Sequence, residues 1–212
     1  MKETTKEILK GLIKRYPQLA GVQNDIEKAY IILEEAYING KKVLICGNGG
    51  SAADSEHIVG ELLKSFRKKR TIKQEVYNKL GEYGIDGIKL KNTLEGSLRA
   101  ISLTSHLSLS TAFSNDSEPS VVFAQQLYGL ADMGDVLITI STSGNSENCV
   151  LAATLANIMG LKTIALTGLR ESRLSKLSDV TIKAPETETY KVQELHLPIY
   201  HVLCAMLEEE FF

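Results

Sequence analysis

Apolar positions recur at helical spacing over the first forty residues and then give way to short continuous runs. The spacing between residues 4 and 40 predicts two amphipathic helices, separated at Tyr16-Pro17 and ended at Asn39-Gly40. Apolar runs further along the chain predict strands at about 42–46, 98–104, 135–141, 161–167 and 179–184. Helical spacing between them predicts helices at about 51–66, 119–130, 145–159 and 188–210.

This alternation of strands and helices predicts an α/β fold. We expect a five-stranded parallel sheet covered on both faces, a three-layer α/β/α sandwich of the flavodoxin-like type, with ligands at the carboxyl ends of the strands. Residues 71–97 interrupt the alternation, because they contain one short helix at about 73–80 followed by glycines and mixed charge. We therefore expect a single domain over 1–212 with an insertion at 71–97.

Composition narrows the classes of partner. The 212 residues include 24 basic and 26 acidic side chains, a net charge of -2, so no overall field attracts nucleic acid or an anionic membrane. The apolar runs are too short to cross a bilayer, and the Met1-Lys2-Glu3 start lacks the pattern of a signal peptide. We expect a cytoplasmic protein without membrane or nucleic-acid partners.

Two local features have ordinary structural interpretations. Cys46, Cys149 and Cys204 are odd in number and lie among apolar neighbours, so we expect reduced core residues. The basic run Arg67–Arg70 follows a predicted helix, and we expect it to be a solvated, dipole-stabilised helix end.

Two loops at predicted strand-to-helix turns have the composition of anion sites. Gly47-Asn48-Gly49-Gly50-Ser51 is rich in glycine, and its backbone can approach a ligand at a helix N-terminus. Ser141-Thr142-Ser143-Gly144-Asn145-Ser146 offers four hydroxyls within six residues. Either loop alone is also typical of an ordinary helix cap. Two of them at one sheet edge favour a phosphorylated small molecule.

The first loop also satisfies a loose dinucleotide-binding pattern through Gly47, Gly49 and Ala52. That pattern requires an acidic residue about 20 positions later, at the end of the next strand. Residues 67–71 are basic and lie outside any predicted strand, so no nucleotide cofactor is expected.

Polar residues at helical spacing form two further candidate sites. His57 and Glu61 are four residues apart, which suits two metal ligands, a base with its orienting partner, or a plain surface pair. Gln193 and His201 share a broad face of the last helix, whereas His196 should make a structural hydrogen bond. Eight residues of helix rise about 12 Å, so Gln193 and His201 of one straight helix cannot reach one ion. Either Pro198 bends the helix, or neighbouring subunits contribute side chains.

Taken together, these motifs resemble the phosphoheptose isomerase family of the sugar isomerase (SIS) domain superfamily. The resemblance covers about residues 22–66 and 98–212. It rests on Gly47-Asn48-Gly49-Gly50-Ser51 with Asp54, His57 and Glu61, on Asn115-Asp116, on the 141–146 loop, and on Gln193-Glu194-Leu195-His196 with His201.

The resemblance implies an enzyme that interconverts sedoheptulose 7-phosphate and D-glycero-D-manno-heptose 7-phosphate through an enediol(ate). It implies Glu61 and His201 as the acid/base pair, and one zinc ion per site with ligands His57, Glu61, Gln193 and His201. It also implies a homotetramer that uses the N-terminal helices and has its active sites at subunit contacts. The implied substrate contacts are Asn48, Gly49, Gly50, Ser51, Glu61, Asn115, Asp116, Ser141, Thr142, Ser143, Ser146 and Gln193.

The sequence departs from the family pattern at the 71–97 insertion, at His106, where Asp is common, and at Ser114, where Gly is usual. These departures leave open an isomerase for another sugar phosphate, and an insertion that covers the site or enlarges a subunit contact. A non-catalytic SIS protein that senses phosphosugars or binds a replication initiator is the other alternative. Against it, a scaffold has no need to keep His57, Glu61, Gln193 and His201 together.

Overall fold

The five predicted strands are present in the computed structural model, which describes residues 1–212. All neighbouring strands are parallel, and their order across the sheet is β2-β1-β3-β4-β5. The carboxyl ends of β1 and β3 therefore lie side by side near the centre of the sheet. The strands are β1 (Val43–Gly47), β2 (Ala100–Ser102), β3 (Val136–Ile140), β4 (Lys162–Thr167) and β5 (Val180–Lys183).

Ten α-helices connect and cover these strands: α1 (Glu3–Arg15), α2 (Gln23–Ile38), α3 (Gly50–Leu63), α4 (Gln74–Leu80), α5 (Gly84–Thr93), α6 (Leu107–Asp116), α7 (Val122–Leu130), α8 (Glu147–Ile158), α9 (Arg173–Leu177) and α10 (Thr189–Phe211). Helices α5, α6 and α9 were not predicted from the sequence. No helix is both long and apolar enough to serve as a membrane span.

Side chains alternate between the two faces of the sheet and produce two separate apolar cores. Val43 and Ile45 face a core shared with α1, α2, α3 and α10. Leu44 and Cys46 face a smaller core shared with α7, α8 and α9. This period-two alternation of buried residues confirms the predicted three-layer α/β/α sandwich. All three cysteines are buried, as expected.

Residues 71–97 add no strand to the sheet and form a helical hairpin, α4 followed by α5. No residue of α4 is buried, and in α5 only Gly87 is. A side chain at Gly87 would collide with the backbone carbonyl of Leu80, so glycine permits the close packing of the two helices. The base of the hairpin is attached to the domain, since the Gly96 amide donates to the Arg70 carbonyl. Its status as an insertion stays a prediction.

The expectation that Arg67–Arg70 forms a solvated helix end is wrong. Helix α3 ends at Leu63, and Arg70 is fully buried. Its guanidinium donates to the carbonyl oxygens of Glu61 and Leu62, both at 2.7 Å, and to Glu208 Oε1 at 2.8 Å. Arg70 is buried because it pairs with Glu208, which lies 138 residues away in the sequence, and the local pattern of charges cannot reveal such a distant partner.

Glu208 completes this buried cluster by accepting from the chain that follows α3. Its carboxylate receives the amides of Phe66 and Arg67, both at 2.8 Å, as well as the Arg70 guanidinium. Burial alone would raise the pKa of Glu208, but these hydrogen bonds outweigh it and lower the pKa. The ionised carboxylate therefore joins α10 to the segment after α3.

His196 makes the structural hydrogen bond that the sequence predicts. The ring is fully buried, and its Nε2 lies 3.1 Å from the carbonyl oxygen of Thr167 at the end of β4. Burial lowers the pKa of His196 to about 4, although the hydrogen bond to Thr167 acts in the opposite direction.

Substitution of Arg70 by Met should lower the free energy of unfolding by about 3–5 kcal/mol, because it leaves the buried Glu208 carboxylate without its cationic partner. Urea unfolding monitored by circular dichroism measures the change. Lys68→Met is the matched control, since it removes a more exposed ion pair with Glu209 and should change stability by about 0.5 kcal/mol or less. Equal losses in the two variants would contradict the structural role of the buried pair.

His196 should make the folded chain sensitive to mild acid. Histidine has a pKa of about 6.5 in the unfolded chain, whereas His196 has a pKa of about 4 in the folded chain. Between pH 6.5 and pH 4, the unfolded chain therefore binds a proton at this position and the folded chain does not. Stability is therefore lost as the pH falls through this window. Between pH 7 and pH 5 the loss due to His196 should be about 2 kcal/mol, and His196→Gln should abolish it. Urea titrations at both pH values test this, with His106→Gln as control; an unchanged pH dependence in His196→Gln would refute it.

Candidate active site

The first glycine-rich loop joins β1 to α3 and has the tight geometry that its sequence requires. A side chain at Gly47 would lie 2.6 Å from the Ser51 carbonyl oxygen, and Gly49 has a positive φ of 56°. The amide of Ser51 donates to the carbonyl of Asn48 and closes the turn at 3.0 Å. The chain passes from this turn directly into the N-terminus of α3, where free backbone amides favour the binding of an anion.

The second loop joins β3 to α8 and is held in shape by its own hydroxyls and by the start of α9. The hydroxyls of Ser141 and Ser146 are 2.9 Å apart. Gly144 has a φ of 65°, and a Cβ there would collide with the Ser172 hydroxyl. Asn145 accepts a hydrogen bond from the Arg173 amide at 3.0 Å. The loop is therefore fixed against α9 before any ligand binds.

A reciprocal pair of amides links the two loops. Asn48 donates to Asn148 and Asn148 donates to Asn48, each at 2.9 Å. Asn148, which lies in the first turn of α8, was not among the predicted site residues. Its position just after the second loop could have indicated a contact with the first loop, because adjacent strands bring both loops to one edge of the sheet.

A polar cavity of about 180 Å³ lies beside the second loop. It is lined by Thr142, Ser143 and Asn145 of the loop, by residues 168–171, and by Glu186, Thr187 and Thr189. Arg170 adds a cation to the hydroxyls, although carboxylates also border the cavity. Arg170 was not among the predicted site residues, even though it follows the carboxyl end of β4, where ligand contacts are expected.

Asn115 and Asp116 lie apart from these contacts. They end α6, are exposed, and bond to each other at 2.9 Å. Neither makes a hydrogen bond to the loops or to the histidines. His106 likewise bonds elsewhere, with its Nδ1 2.8 Å from Gln126 Oε1. The structure thus does not join these residues to the two loops by direct contact.

His57, Glu61 and His201 form a cluster between α3 and α10. His57 Nε2 lies 3.2 Å from Glu61 Oε1, and the rings of His57 and His201 meet edge to face with centroids 5.0 Å apart. His57 Nδ1 lies 3.1 Å from the hydroxyl of Tyr200, which the sequence analysis missed. Consecutive residues of a helix point in different directions, so the position of Tyr200 next to His201 in the sequence gave no signal of a shared site.

Two atoms of this cluster are buried and have no hydrogen-bond partner, namely Glu61 Oε2 and His201 Nε2. The Lys64 ammonium is 3.7 Å from Glu61 Oε2, beyond hydrogen-bonding distance. Burial and the neighbouring His57 lower the pKa of His201, so its imidazole stays neutral near pH 7. A carboxylate oxygen and an imidazole nitrogen without partners can accept protons from a ligand or hold a cation.

The cluster contains three of the four residues that the resemblance implies as zinc ligands. Two imidazoles and a carboxylate are a donor set that zinc accepts, and the two unpartnered atoms suit such an ion. The side chains are not arranged as a ready coordination sphere, since no three His, Cys, Asp or Glu groups are close enough together to hold a metal.

Gln193, the fourth implied ligand, lies elsewhere. Its side chain packs on Gly50, where an added Cβ would be 2.6 Å from Gln193 Nε2. Helix α10 continues unbroken through Pro198, so Gln193 stays about 12 Å along the axis from His201. Within one chain it lies beside the first loop rather than in the histidine cluster.

Comparison with known proteins identifies the family. A family model described as SIS domain matches residues 17–97 and 92–168. The chain is 42% identical over 186 residues to a phosphoheptose isomerase of a Nitratiruptor species, covering 88% of this chain and 86% of the relative. It is 33% identical over 212 residues to one from Akkermansia muciniphila, covering 100% and 99%.

A solved structure agrees with these relatives. The phosphoheptose isomerase of Francisella tularensis is 27% identical and superposes with a TM-score of 0.73, covering 99% of this chain and 100% of that one. Sequence and fold thus match the same enzymes over nearly the whole chain. The chain belongs to the phosphoheptose isomerase family of SIS-domain enzymes.

Proposed function

We propose that this enzyme interconverts sedoheptulose 7-phosphate and D-glycero-D-manno-heptose 7-phosphate. The relatives named phosphoheptose isomerase support a heptose phosphate as the substrate. The observation that carries the chemistry is the pair of buried, unpartnered acceptor atoms, Glu61 Oε2 and His201 Nε2, which both belong to the His57 cluster.

Ketose-to-aldose isomerisation moves a proton between C1 and C2 of the sugar and exchanges a proton between the two oxygens. Glu61 and His201 would act as the acid/base pair for these transfers. Glu61 has an oxygen free to take a proton, and the lowered pKa of His201 keeps its imidazole ready to accept one. Turnover therefore needs both side chains.

The two linked loops would bind the phosphate and fix the position of the sugar. Backbone amides at the N-termini of α3 and α8 supply positive potential, and four hydroxyls supply hydrogen bonds. The residues proposed to contact substrate are Asn48, Gly49, Gly50, Ser51, Asn115, Asp116, Ser141, Thr142, Ser143, Ser146 and Gln193, together with Glu61.

We propose that one zinc ion is held by His57, Glu61 and His201, with Gln193 as a fourth ligand. When bound, zinc would supply Lewis-acid stabilisation for the charge that develops on the sugar oxygens. Because Gln193 lies about 12 Å from His201 along one helix, a second copy of the chain would have to supply that ligand. This requirement supports a homo-oligomer, proposed as a tetramer with sites at subunit contacts and with the N-terminal helices in those contacts.

Replacement of Glu61 by Gln or His201 by Ala should lower turnover by at least about 100-fold, because each removes one acid/base group. Binding of the phosphosugar should persist, since the loops are untouched. An isomerase assay over a panel of five- to seven-carbon sugar phosphates measures turnover and preference together. Glu56→Gln, on the same helix as Glu61, is the matched control and should stay active.

Near-native turnover in Glu61→Gln or His201→Ala would refute the acid/base proposal. A preference for a five- or six-carbon sugar phosphate would refute the heptose but keep the isomerase. Zinc content measured before and after chelation, with activity followed in parallel, tests the metal: full activity in zinc-free protein would contradict it.

Gly144→Ala should weaken phosphosugar binding and lower the free energy of unfolding by about 1–3 kcal/mol, because it strains a positive φ and crowds Ser172. Calorimetric titration with a sugar phosphate and urea unfolding measure the two effects. Gly129→Ala is the control: that helical glycine has free space around it, so alanine should stabilise by about 0.5–1 kcal/mol. Unchanged binding in Gly144→Ala would contradict the assignment of this loop.

A further inference from the structure

The hydroxyl of Tyr200 lies between a carboxylate and a histidine of the cluster. It is 3.1 Å from Asp54 Oδ1 and 3.1 Å from His57 Nδ1. The Tyr200 ring is 2% exposed and packs edge to face on His57 and His201, with centroids 5.6 Å and 4.9 Å away. Its hydroxyl therefore has a fixed position, and both of its polar neighbours are within hydrogen-bonding distance.

The number of available protons decides the direction of these bonds. A tyrosine hydroxyl has a single proton to donate, and an ionised carboxylate can only accept. The Tyr200 proton therefore goes to Asp54, and the Tyr200 oxygen accepts from His57. His57 can donate from Nδ1 only if that nitrogen carries a proton. Its other nitrogen, Nε2, faces Glu61 Oε1 at 3.2 Å, and because a carboxylate only accepts, that contact is a hydrogen bond only while Nε2 also carries a proton. A metal ion bound at Nε2 would take the place of that second proton.

We propose that Tyr200, oriented by Asp54, is a positioning residue that keeps a proton on Nδ1 of His57 and directs Nε2 toward Glu61 and a metal ion. The metal part of this inference rests on the zinc site proposed above. Histidine ligands generally donate their second ring N–H to an oxygen acceptor, which fixes the ring and strengthens the ligand. Here the acceptor is a phenol that is itself tied to a carboxylate.

Nitrogen NMR of metal-free protein labelled with ¹⁵N-histidine tests the proton position directly. The chain has four histidines, so single substitutions at His106, His196 and His201 assign the His57 signals. Nδ1 of His57 should have the signature of a protonated ring nitrogen in the wild type. In Tyr200→Phe the Nδ1 proton loses its acceptor, so Nδ1 should shift toward the lone-pair signature while Nε2 keeps a proton that Glu61 accepts.

A lone-pair signature at Nδ1 in the wild type would overturn the proposal, because Tyr200 would then be the donor to His57. An Nδ1 signal that is the same in the wild type and in Tyr200→Phe would also overturn it. This measurement needs no metal, so it decides the role of Tyr200 even if the wild type binds no zinc and the zinc proposal fails.

Competition with a chromogenic chelator measures the consequence for zinc. Tyr200→Phe and Asp54→Asn should each weaken zinc binding by about 10–100-fold, the usual effect of losing the partner of a ligand. The double variant should lose little more than either single variant, because both act through one chain of bonds. Additive losses, or zinc affinity unchanged in Tyr200→Phe, would contradict the inferred positioning.

Tyr30→Phe is the matched control. Its hydroxyl is also buried between carboxylates, 2.8 Å from Glu34 and 3.1 Å from Glu210, but it lies outside the histidine cluster. The variant should keep wild-type zinc affinity and the wild-type His57 signals. An equal loss of zinc affinity in Tyr30→Phe would overturn the proposal, because the effect would then come from general destabilisation.

Discussion

The buried contact between Arg70 and Glu208 is the constraint on which the arrangement of α3 and α10 depends. Removing two charges from water is costly, and the pair is tolerated because nearly every donor and acceptor around it is used. Arg70 satisfies carbonyls left free at the end of α3, and Glu208 satisfies amides of the segment that follows. One ion pair therefore ends a helix, shapes a turn and attaches both to α10.

This contact also sets where the proposed reactive groups lie. Arg70 holds the carbonyl of Glu61 itself, and Glu208 is two helical turns beyond His201 on α10. Any sliding or rotation of one helix against the other would separate Glu61 and His57 from His201 and also break the buried bonds. The acid/base pair, the proposed zinc ligands and Tyr200 all depend on this register, although Arg70 contacts none of the histidines.

Much of the fold could be predicted because buried parallel strands are short apolar runs, and all five were found close to their observed bounds. Helix α6 was missed because Leu107–Asp116 is rich in serine and carries no clear apolar stripe. The buried role of Arg70 was missed because its partner is distant in sequence.

Within the candidate site, local spacing was enough to predict the two loops and the His57–Glu61 pair. Tyr200 and Asn148 could not be predicted in this way, because they act through contacts between separate elements.

The register of α3 and α10 also bears on the role of Gln193. The two helices run in the same direction, since Gln193 meets Gly50, Tyr200 meets Asp54, and Glu208 meets the chain just beyond α3. A straight helix cannot present Gln193 and His201 to one ion, so within a single chain Gln193 lies against the first glycine-rich loop and not in the histidine cluster. Both proposed roles of Gln193 can hold only if its side chain meets the histidine cluster of another copy. The distance between Gln193 and His201 along α10 therefore means that the proposed four-residue zinc site requires an oligomer.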